Sequence, residues 1–107
     1  MKHNDIIDDL ERRIRNLHPE SLIVKEQDYD IYGQHGEIDL GLITPSLTYL
    51  IEVKTTNSYK SRSKAYKQLF KDKRWSMKNY YSDKTHCFYA FSSGKRRGYD
   101  VIKLDIN

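Results

Sequence analysis

The chain has very little cysteine and no long apolar run. Its single cysteine, Cys87, excludes an internal disulfide framework and a cysteine-based metal site, which fits a reducing compartment. No apolar run approaches the roughly 18 residues that a membrane span needs. The first residues, MKHNDIIDDLERR, are too highly charged for a signal peptide. These absences predict a soluble intracellular protein of the cytoplasm (that of the host cell, if the chain is viral) without a membrane partner.

Apolar residues in general are scarce. Hydrophobic residues make up 37% of the chain and charged residues 32%. The nine Tyr, three Phe and one Trp nevertheless favour a folded domain, because disordered chains are usually poor in aromatic residues. A length of 107 residues predicts a single domain, residues 1–107, with a small core. In such a core each buried charge is a large fraction of the total stability.

Acidic residues are rare in the second half of the chain. Residues 1–53 hold 5 Lys/Arg and 11 Asp/Glu, a net charge of −6, whereas residues 54–107 hold 14 and 4, a net charge of +10. The asymmetry indicates a polyanionic partner that the second half contacts. A solvated, lysine-rich helix surface is the alternative interpretation.

Hydrophobic periodicity predicts the element order α-β-β-β-α-β-β and an α/β fold with a mixed central sheet flanked by helices. The predicted helices span 4–17 and 61–81, and the predicted strands span 21–25, 37–43, 47–54, 86–92 and 99–106. Between the first two strands, 26–35 is either an irregular extension or a ragged strand that ends at a turn over 33–36. The apolar stripe of the second helix is predicted to comprise Ala65, Tyr66, Leu69, Phe70, Met77 and Tyr80.

Charged residues interrupt the two most strand-like segments, GEIDL at 36–40 and IEVK at 51–54. Because strand side chains alternate between faces, Glu37 and Asp39 share one face of the first strand, and Glu52 and Lys54 share one face of the second. The opposite face of the first strand is predicted to carry Ile38, Leu40 and Leu42. In a hairpin, Asp39 and Glu52 come close together and repel unless a proton or a cation lies between them. A hard divalent cation such as Mg²⁺ suits such a pair, while Lys54 could orient a water or stabilise developing negative charge. Cross-strand ion pairs on a solvent-facing strand would look similar.

GEIDL followed by YLIEVK resembles the PD-(D/E)xK nuclease superfamily, which includes restriction endonucleases and archaeal Holliday-junction resolvases. The sequence motif GEIDL…EVK also resembles that of a small bacterial family of presumed endonucleases. The order of elements agrees with that of the superfamily over about residues 5–92, and the resemblance extends to the motif residues themselves over 36–54. It implies a restriction-endonuclease-like core in which Asp39, Glu52 and the carbonyl of Val53 bind Mg²⁺ (or Mn²⁺) and Lys54 is catalytic. Ile38 stands where many members have proline.

The resemblance implies further site residues. Resolvase-like members use a glutamate of the first helix, for which Glu11 is the best match as a catalytic and metal-binding residue, with Asp8 as the alternative. Some members bring a polar residue of the second helix to the active site. Gln68 is the candidate here, with Lys64 as the alternative.

Basic residues of the second half are candidate DNA contacts. Lys64, Lys71 and Trp75 fall together on the predicted second helix, away from its apolar stripe. Trp75 either stacks on a base or sugar, covers a neighbouring chain or is partly buried against a loop. Lys60 and Arg62 follow the strand that carries Glu52. Lys95, Arg96 and Arg97 lie in a turn between two glycines, where they could grip phosphates without reading sequence. The four histidines have no metal-ligand spacing.

These observations predict a Mg²⁺-dependent endodeoxyribonuclease that cuts branched DNA, as a Holliday-junction resolvase does in DNA recombination and repair. A symmetric junction needs two cuts, which implies a homodimer. The absence of a separate recognition domain favours structure-specific over sequence-specific cutting. A nickase or repair nuclease of the same fold, a non-catalytic nucleic-acid-binding module and a toxin-like ribonuclease are the alternatives.

Overall fold

The computed structural model describes residues 1–93 and 98–106. Two helices and five strands follow the predicted order: α1 His3–Leu17, β1 Leu22–Ile31, β2 Gln34–Ile43, β3 Leu47–Lys54, α2 Tyr59–Asn79, β4 Lys84–Ser93 and β5 Gly98–Leu104. The α/β class and the element order are therefore confirmed. None of the helices in the described ranges is long and apolar enough to cross a membrane.

The five strands form one mixed sheet in the order β1-β2-β3-β4-β5. Neighbouring strands are antiparallel except β3 and β4, which are parallel because α2 connects them as a crossover. The two strands that carry the GEIDL and IEVK segments are adjacent, with Leu40 opposite Ile51 and Ile43 opposite Thr48. The predicted hairpin of β2 and β3 is thus confirmed, and it brings Asp39 and Glu52 to its open end.

The helices pack on opposite faces of the sheet. Ile6, Ile7, Leu10 and Ile14 of α1 form one core cluster with Leu40, Leu42, Ile51, Val53 and Ala90. Leu69 of α2 belongs to a second cluster with Val24, Ile38, Ile43, Leu50 and Cys87. Leu42 and Ile43 fall into different clusters, as do Leu50 and Ile51, as expected for alternating side chains of a sheet covered on both faces.

The segment 26–35 agrees with the second predicted alternative, a strand that ends at a turn, but the turn lies earlier than predicted. β1 continues to Ile31, and a tight turn at Tyr32 (φ 50°) and Gly33 (φ 76°) leads directly into β2. Two positive φ angles are typical of the two-residue hairpin turns whose twist matches that of the strands. Gly36 therefore lies inside β2 and not in the turn.

The buried face of α2 differs from the predicted stripe. Ala65 and Leu69 are buried as predicted, but Asp72 and Ser76 complete the buried face. Tyr66, Phe70 and Met77, which the stripe included, are 41%, 40% and 65% exposed. The prediction was wrong there because it assumed that apolar residues must face the sheet, whereas Asp72 is buried through hydrogen bonds to its neighbours.

Candidate active site

β2 departs from β3 at Asp39. The pairing of the two strands ends at Leu40 and Ile51. Beyond this point the Asp39 carboxylate takes the place of a backbone carbonyl as hydrogen-bond acceptor, since its Oδ2 accepts a hydrogen bond from the Val53 N–H at 2.8 Å. Asp39 is only 4% exposed, so this bond is made in a largely dry environment. The aspartate of the GEIDL segment is thus held rigidly where the two strands separate.

The alternation of β2 also breaks at Asp39. Ile38 belongs to the cluster on the α2 face, whereas Leu40 belongs to the cluster on the α1 face. The prediction that Ile38, Leu40 and Leu42 share one face was therefore wrong for Ile38. β2 pairs regularly with β1 on both sides of Asp39. Glu26, the β1 residue that this register places opposite Asp39, has a positive φ of 49°. A local irregularity shared by β1 and β2 thus turns Asp39 out of the ordinary pattern.

Glu52 is the second buried carboxylate, at 4% exposure. Its Oε1 lies 3.4 Å from the Lys54 ammonium, while its Oε2 is buried and finds no hydrogen-bond partner in the described part of the chain. Burial raises the pKa of Glu52 well above its usual range, the charges of Asp39 and Asp72 raise it further, and Lys54 opposes these effects. Asp39, Glu52 and Lys54 are thus brought together, and one carboxylate oxygen of Glu52 lacks a partner among the residues that the structure describes.

Asp72 of α2 is a buried carboxylate that the sequence did not single out as part of the site. Its Oδ1 accepts hydrogen bonds from the Tyr29 hydroxyl and from Gln68 Nε2. Burial raises the pKa of Asp72 to about 7, although both hydrogen bonds act in the opposite direction. Its position four residues after Gln68, on the same helix face, was the signal that could have identified it.

The structure places Gln68 of α2 against the backbone of β2 and against Asp72, and its catalytic role stays a prediction. Its Nε2 donates to the Glu37 carbonyl oxygen and to Asp72 Oδ1, both at 2.8 Å. The alternative, Lys64, is exposed. Gln68 therefore holds Asp72 and the backbone of β2 at Glu37 in position.

Two other residues close to Asp39 were not predicted as site residues. His3, at the start of α1, places its Nε2 3.3 Å from Asp39 Oδ2. Burial, and after it the nearby charge of Asp39, raise the pKa of Glu37. His3 has no sequence signal, since it is one of four scattered histidines and 36 positions from Asp39.

Glu11 is not brought to these carboxylates. It lies eight residues beyond His3 on α1, or about 12 Å along the helix. Its carboxylate contacts Lys25 at 3.1 Å and Arg15 at 3.0 Å, and these cations lower the pKa of Glu11. Asp8, the alternative, also contacts Lys25, at 2.6 Å. The predicted helix glutamate therefore forms surface ion pairs, because the edge of the buried face of α1 meets β1 and not the open end of β2 and β3.

The donor set at the open end suits a hard cation. Within residues 1–93 and 98–106, no group of three or more His, Cys, Asp or Glu side chains is placed to hold a metal ion. Mg²⁺ needs fewer, since it is commonly bound by one or two carboxylates together with waters and substrate phosphates. Asp39 and the unpartnered Glu52 Oε2 meet that requirement. The Val53 carbonyl points to the same side as its N–H, which is the side of Asp39.

The candidate DNA contacts of α2 differ in their surroundings. Lys60, Arg62 and Lys64 are exposed, whereas Lys71 donates to the His35 carbonyl at 3.0 Å. Trp75 is partly buried, as one of the predicted alternatives has it: it stacks on Tyr29 at 5.1 Å and meets the edge of Tyr80 at 5.6 Å. Stacking of Trp75 on a base stays a prediction. Lys95, Arg96 and Arg97 lie outside the described residues.

Comparisons of this chain with protein-family models, with curated proteins and with solved structures find no match.

Proposed function

We propose that this chain is a Mg²⁺-dependent endonuclease (Mn²⁺ being an alternative ion) that hydrolyses DNA phosphodiester bonds on a restriction-endonuclease-like fold. The observation that carries the proposal is Glu52 Oε2, a buried carboxylate oxygen that has no hydrogen-bond partner among residues 1–93 and 98–106, beside the buried Asp39. An unpartnered buried carboxylate is costly, and a bound cation would offset that cost. Such atoms in native proteins are often functional.

The proposed ligands are the carboxylates of Asp39 and Glu52 and the carbonyl of Val53. When bound, the ion would supply a water of lowered pKa and positive charge for the phosphate oxygens. Lys54 lies 3.4 Å from Glu52 with its side chain 32% exposed, so it can reach both the carboxylate and a substrate. In this role Lys54 orients the attacking water or stabilises negative charge on the phosphate.

The remaining groups position this set. Gln68 and Tyr29 hold Asp72 behind Glu52, and His3 lies beside Asp39. Glu11 receives no role as a metal ligand in this proposal, because it would first have to leave Lys25 and Arg15. Gln68, Tyr29, Asp72 and His3 act on the orientation or charge of Asp39 and Glu52, which would hold the ion, and Lys54 is the residue assigned to the chemical step.

The proposed substrate is branched or duplex DNA, cut by a homodimer in the manner of a Holliday-junction resolvase. The net charge of +10 over residues 54–107 supports a polyanionic partner. Exposed Lys60, Arg62 and Lys64 follow directly on the strand of Glu52 and Lys54, so phosphates that they bind would lie close to the proposed catalytic residues.

The test is incubation with a four-way junction, linear duplex, single-stranded DNA and single-stranded RNA, each with Mg²⁺, with Mn²⁺ and with EDTA. We expect metal-dependent cleavage of the junction that Glu52→Gln abolishes and that the matched exposed substitution Glu20→Gln leaves intact. Cleavage confined to linear duplex would indicate the nickase or repair nuclease, and cleavage confined to RNA a ribonuclease. Binding without cleavage under all conditions would overturn the enzymatic proposal in favour of a nucleic-acid-binding module.

A further inference from the structure

Aromatic and basic side chains share the outer face of α2. We call this surface the outer strip, and define it as Tyr59, Arg62, Tyr66, Lys67, Phe70 and Arg74. Tyr59 is 90% exposed, Tyr66 41% and Phe70 40%, and the basic members of the strip are exposed as well. Large exposed aromatic residues on one surface of a small polar protein indicate a binding site.

The spacing along α2 makes the strip continuous. From Tyr59 through Arg62, Tyr66 and Phe70 to Arg74, successive members are three or four residues apart, so they lie on one helix face. The strip is about 22 Å long, because each helical residue adds ~1.5 Å.

Two grooves accompany the strip and share two lining residues in its middle. The first, of about 220 Å³, is lined by Tyr59, Arg62, Ser63, Tyr66 and Lys67. The second, of about 620 Å³, is lined by Gln34, His35, Tyr66, Lys67, Phe70, Lys71 and Arg74. Because Tyr66 and Lys67 line both, an extended ligand could follow the helix from one groove into the other. The β1–β2 hairpin forms the far wall of the second groove.

Cations at one end of the strip are already held against aromatic rings. The Arg74 guanidinium lies 4.7 Å from the ring centre of Tyr32 in the hairpin turn and 5.9 Å from that of Phe70. The Lys78 ammonium lies 4.9 Å from the Tyr32 ring centre. Such contacts restrict the side chains before a ligand arrives, and so reduce the entropy that binding would cost.

The charge of α2 selects the kind of partner. The helix has eight Lys/Arg residues and one acidic residue, Asp72, which is buried on the other face. A second copy of the chain, docked by a twofold axis through the strip, would bring Arg62, Lys67 and Arg74 against the same cations. A polyanion with flat apolar groups complements the strip without that repulsion.

We propose that the outer strip binds single-stranded nucleic acid, with bases stacked on Tyr59, Tyr66 and Phe70 and phosphates held by Arg62, Lys67 and Arg74. Aromatic platforms between cations are how proteins hold unpaired strands without reading sequence. The inference rests on the proposed function, which makes a nucleic acid the expected partner. It extends that function by assigning a separate binding site to an unpaired strand, such as one next to a branch point. Bases paired inside a duplex cannot stack on these rings.

The experiment measures anisotropy of fluorescently labelled strands in EDTA, where cleavage cannot occur. The ligands are oligo-dT, oligo-rU, an abasic strand of equal length and a duplex. We expect oligo-dT to bind at least about fivefold more tightly than the abasic strand, which has the same phosphates but no bases. Tyr66→Ala and Phe70→Ala should each weaken oligo-dT binding about fivefold or more and leave abasic-strand binding unchanged. Preference for oligo-rU over oligo-dT would identify RNA as the natural strand.

The matched control is Tyr81→Ala, which removes an aromatic residue that is 80% exposed and lies outside α2. Tyr66→Leu and Phe70→Leu keep apolar bulk if an alanine variant fails to fold, and should show the same loss. Equal affinity of the wild-type protein for oligo-dT and the abasic strand would overturn the inference. The inference would also be overturned if sedimentation showed that the Tyr66 and Phe70 variants lose a dimer while their affinity for oligo-dT is unchanged.

The two proposals fail separately. If the chain cleaves no substrate but the base-dependent binding holds, the proposed endonuclease is wrong and the outer strip stands. If cleavage of duplex or junction is intact and the Tyr66 and Phe70 variants bind oligo-dT like the wild type, the outer strip is wrong and the endonuclease stands.

Discussion

The Asp39 carboxylate accepts the Val53 N–H at 2.8 Å, at the point where the pairing of β2 with β3 has ended. One side chain therefore satisfies a buried backbone donor and also places a carboxylate at the open end of the hairpin. Asp39 is at once part of the sheet and part of the proposed site, and substitutions can separate the two roles.

We expect Asp39→Ala and Asp39→Asn to differ in stability but not in activity. Alanine leaves the buried Val53 N–H without a partner, at a cost of about 1–3 kcal/mol, whereas the asparagine carbonyl can still accept that hydrogen bond. Both variants should lose metal-dependent cleavage, because neither has the carboxylate. Urea unfolding without metal measures the stability, and equal midpoints for the wild type and Asp39→Ala would contradict the role in the sheet.

Lys54→Met should reduce cleavage by about a hundredfold or more while DNA and metal binding persist, since Lys54 is assigned to the chemistry. Lys84→Met is the matched control, because Lys84 is exposed and lies opposite Leu47, at the other end of β3 from Lys54. Binding is measured in Ca²⁺, and single-turnover cleavage in Mg²⁺. Turnover of Lys54→Met close to that of the wild type would remove Lys54 from the mechanism.

Gly36→Ala should destabilise the protein by about 1–3 kcal/mol through overpacking. A Cβ at Gly36 would overlap the ring of Tyr29, the residue opposite Gly36 in the pairing of β1 with β2. The displaced Tyr29 would also lose its hydrogen bond to Asp72. The double variant Gly36→Ala, Tyr29→Ala should recover part of the loss relative to the sum of the single variants. Strict additivity would show that the two side chains do not compete for the same space.

Stability without metal should fall as the pH rises from about 4 to about 7. The pKa of Asp72 is raised from 3.8 to about 7, mainly by burial, so the folded state binds this proton more tightly than the unfolded chain. The stabilisation is complete below the unfolded pKa and is lost as the pH rises through the folded pKa. Tyr29, Gln68 and Lys71 favour the ionised form and the Asp39 charge opposes it.

Asp72→Asn tests this pH dependence, because its carbonyl can still accept from Tyr29 and Gln68. The variant should be the more stable protein at pH 8, by at most ~4 kcal/mol, and should lose this advantage near pH 4. Thermal unfolding at both pH values in EDTA measures the difference. An Asp72→Asn variant that is less stable than the wild type at pH 8 would show that the ionised carboxylate is favourable in the fold.

The proposed metal ligands could be predicted from the sequence because the evidence for them is local. Strand patterning around Asp39 and Glu52, with a short turn between the strands, is enough to bring both to one end of a hairpin. Asp72, Tyr29 and His3 could not be identified in this way. They reach the site from α2, β1 and α1, and their distances from Asp39 depend on how those elements pack.

The sequence by itself determined the order of helices and strands, the mixed α/β class and the concentration of positive charge in the second half. Periodicity and turn residues act over a few positions, so they are visible in the chain alone. The tertiary structure decided which face of α2 is buried and that side-chain alternation breaks at Asp39. Both results depend on hydrogen bonds between distant elements: Tyr29 and Gln68 make the burial of Asp72 possible, and the Val53 N–H draws the Asp39 carboxylate toward β3.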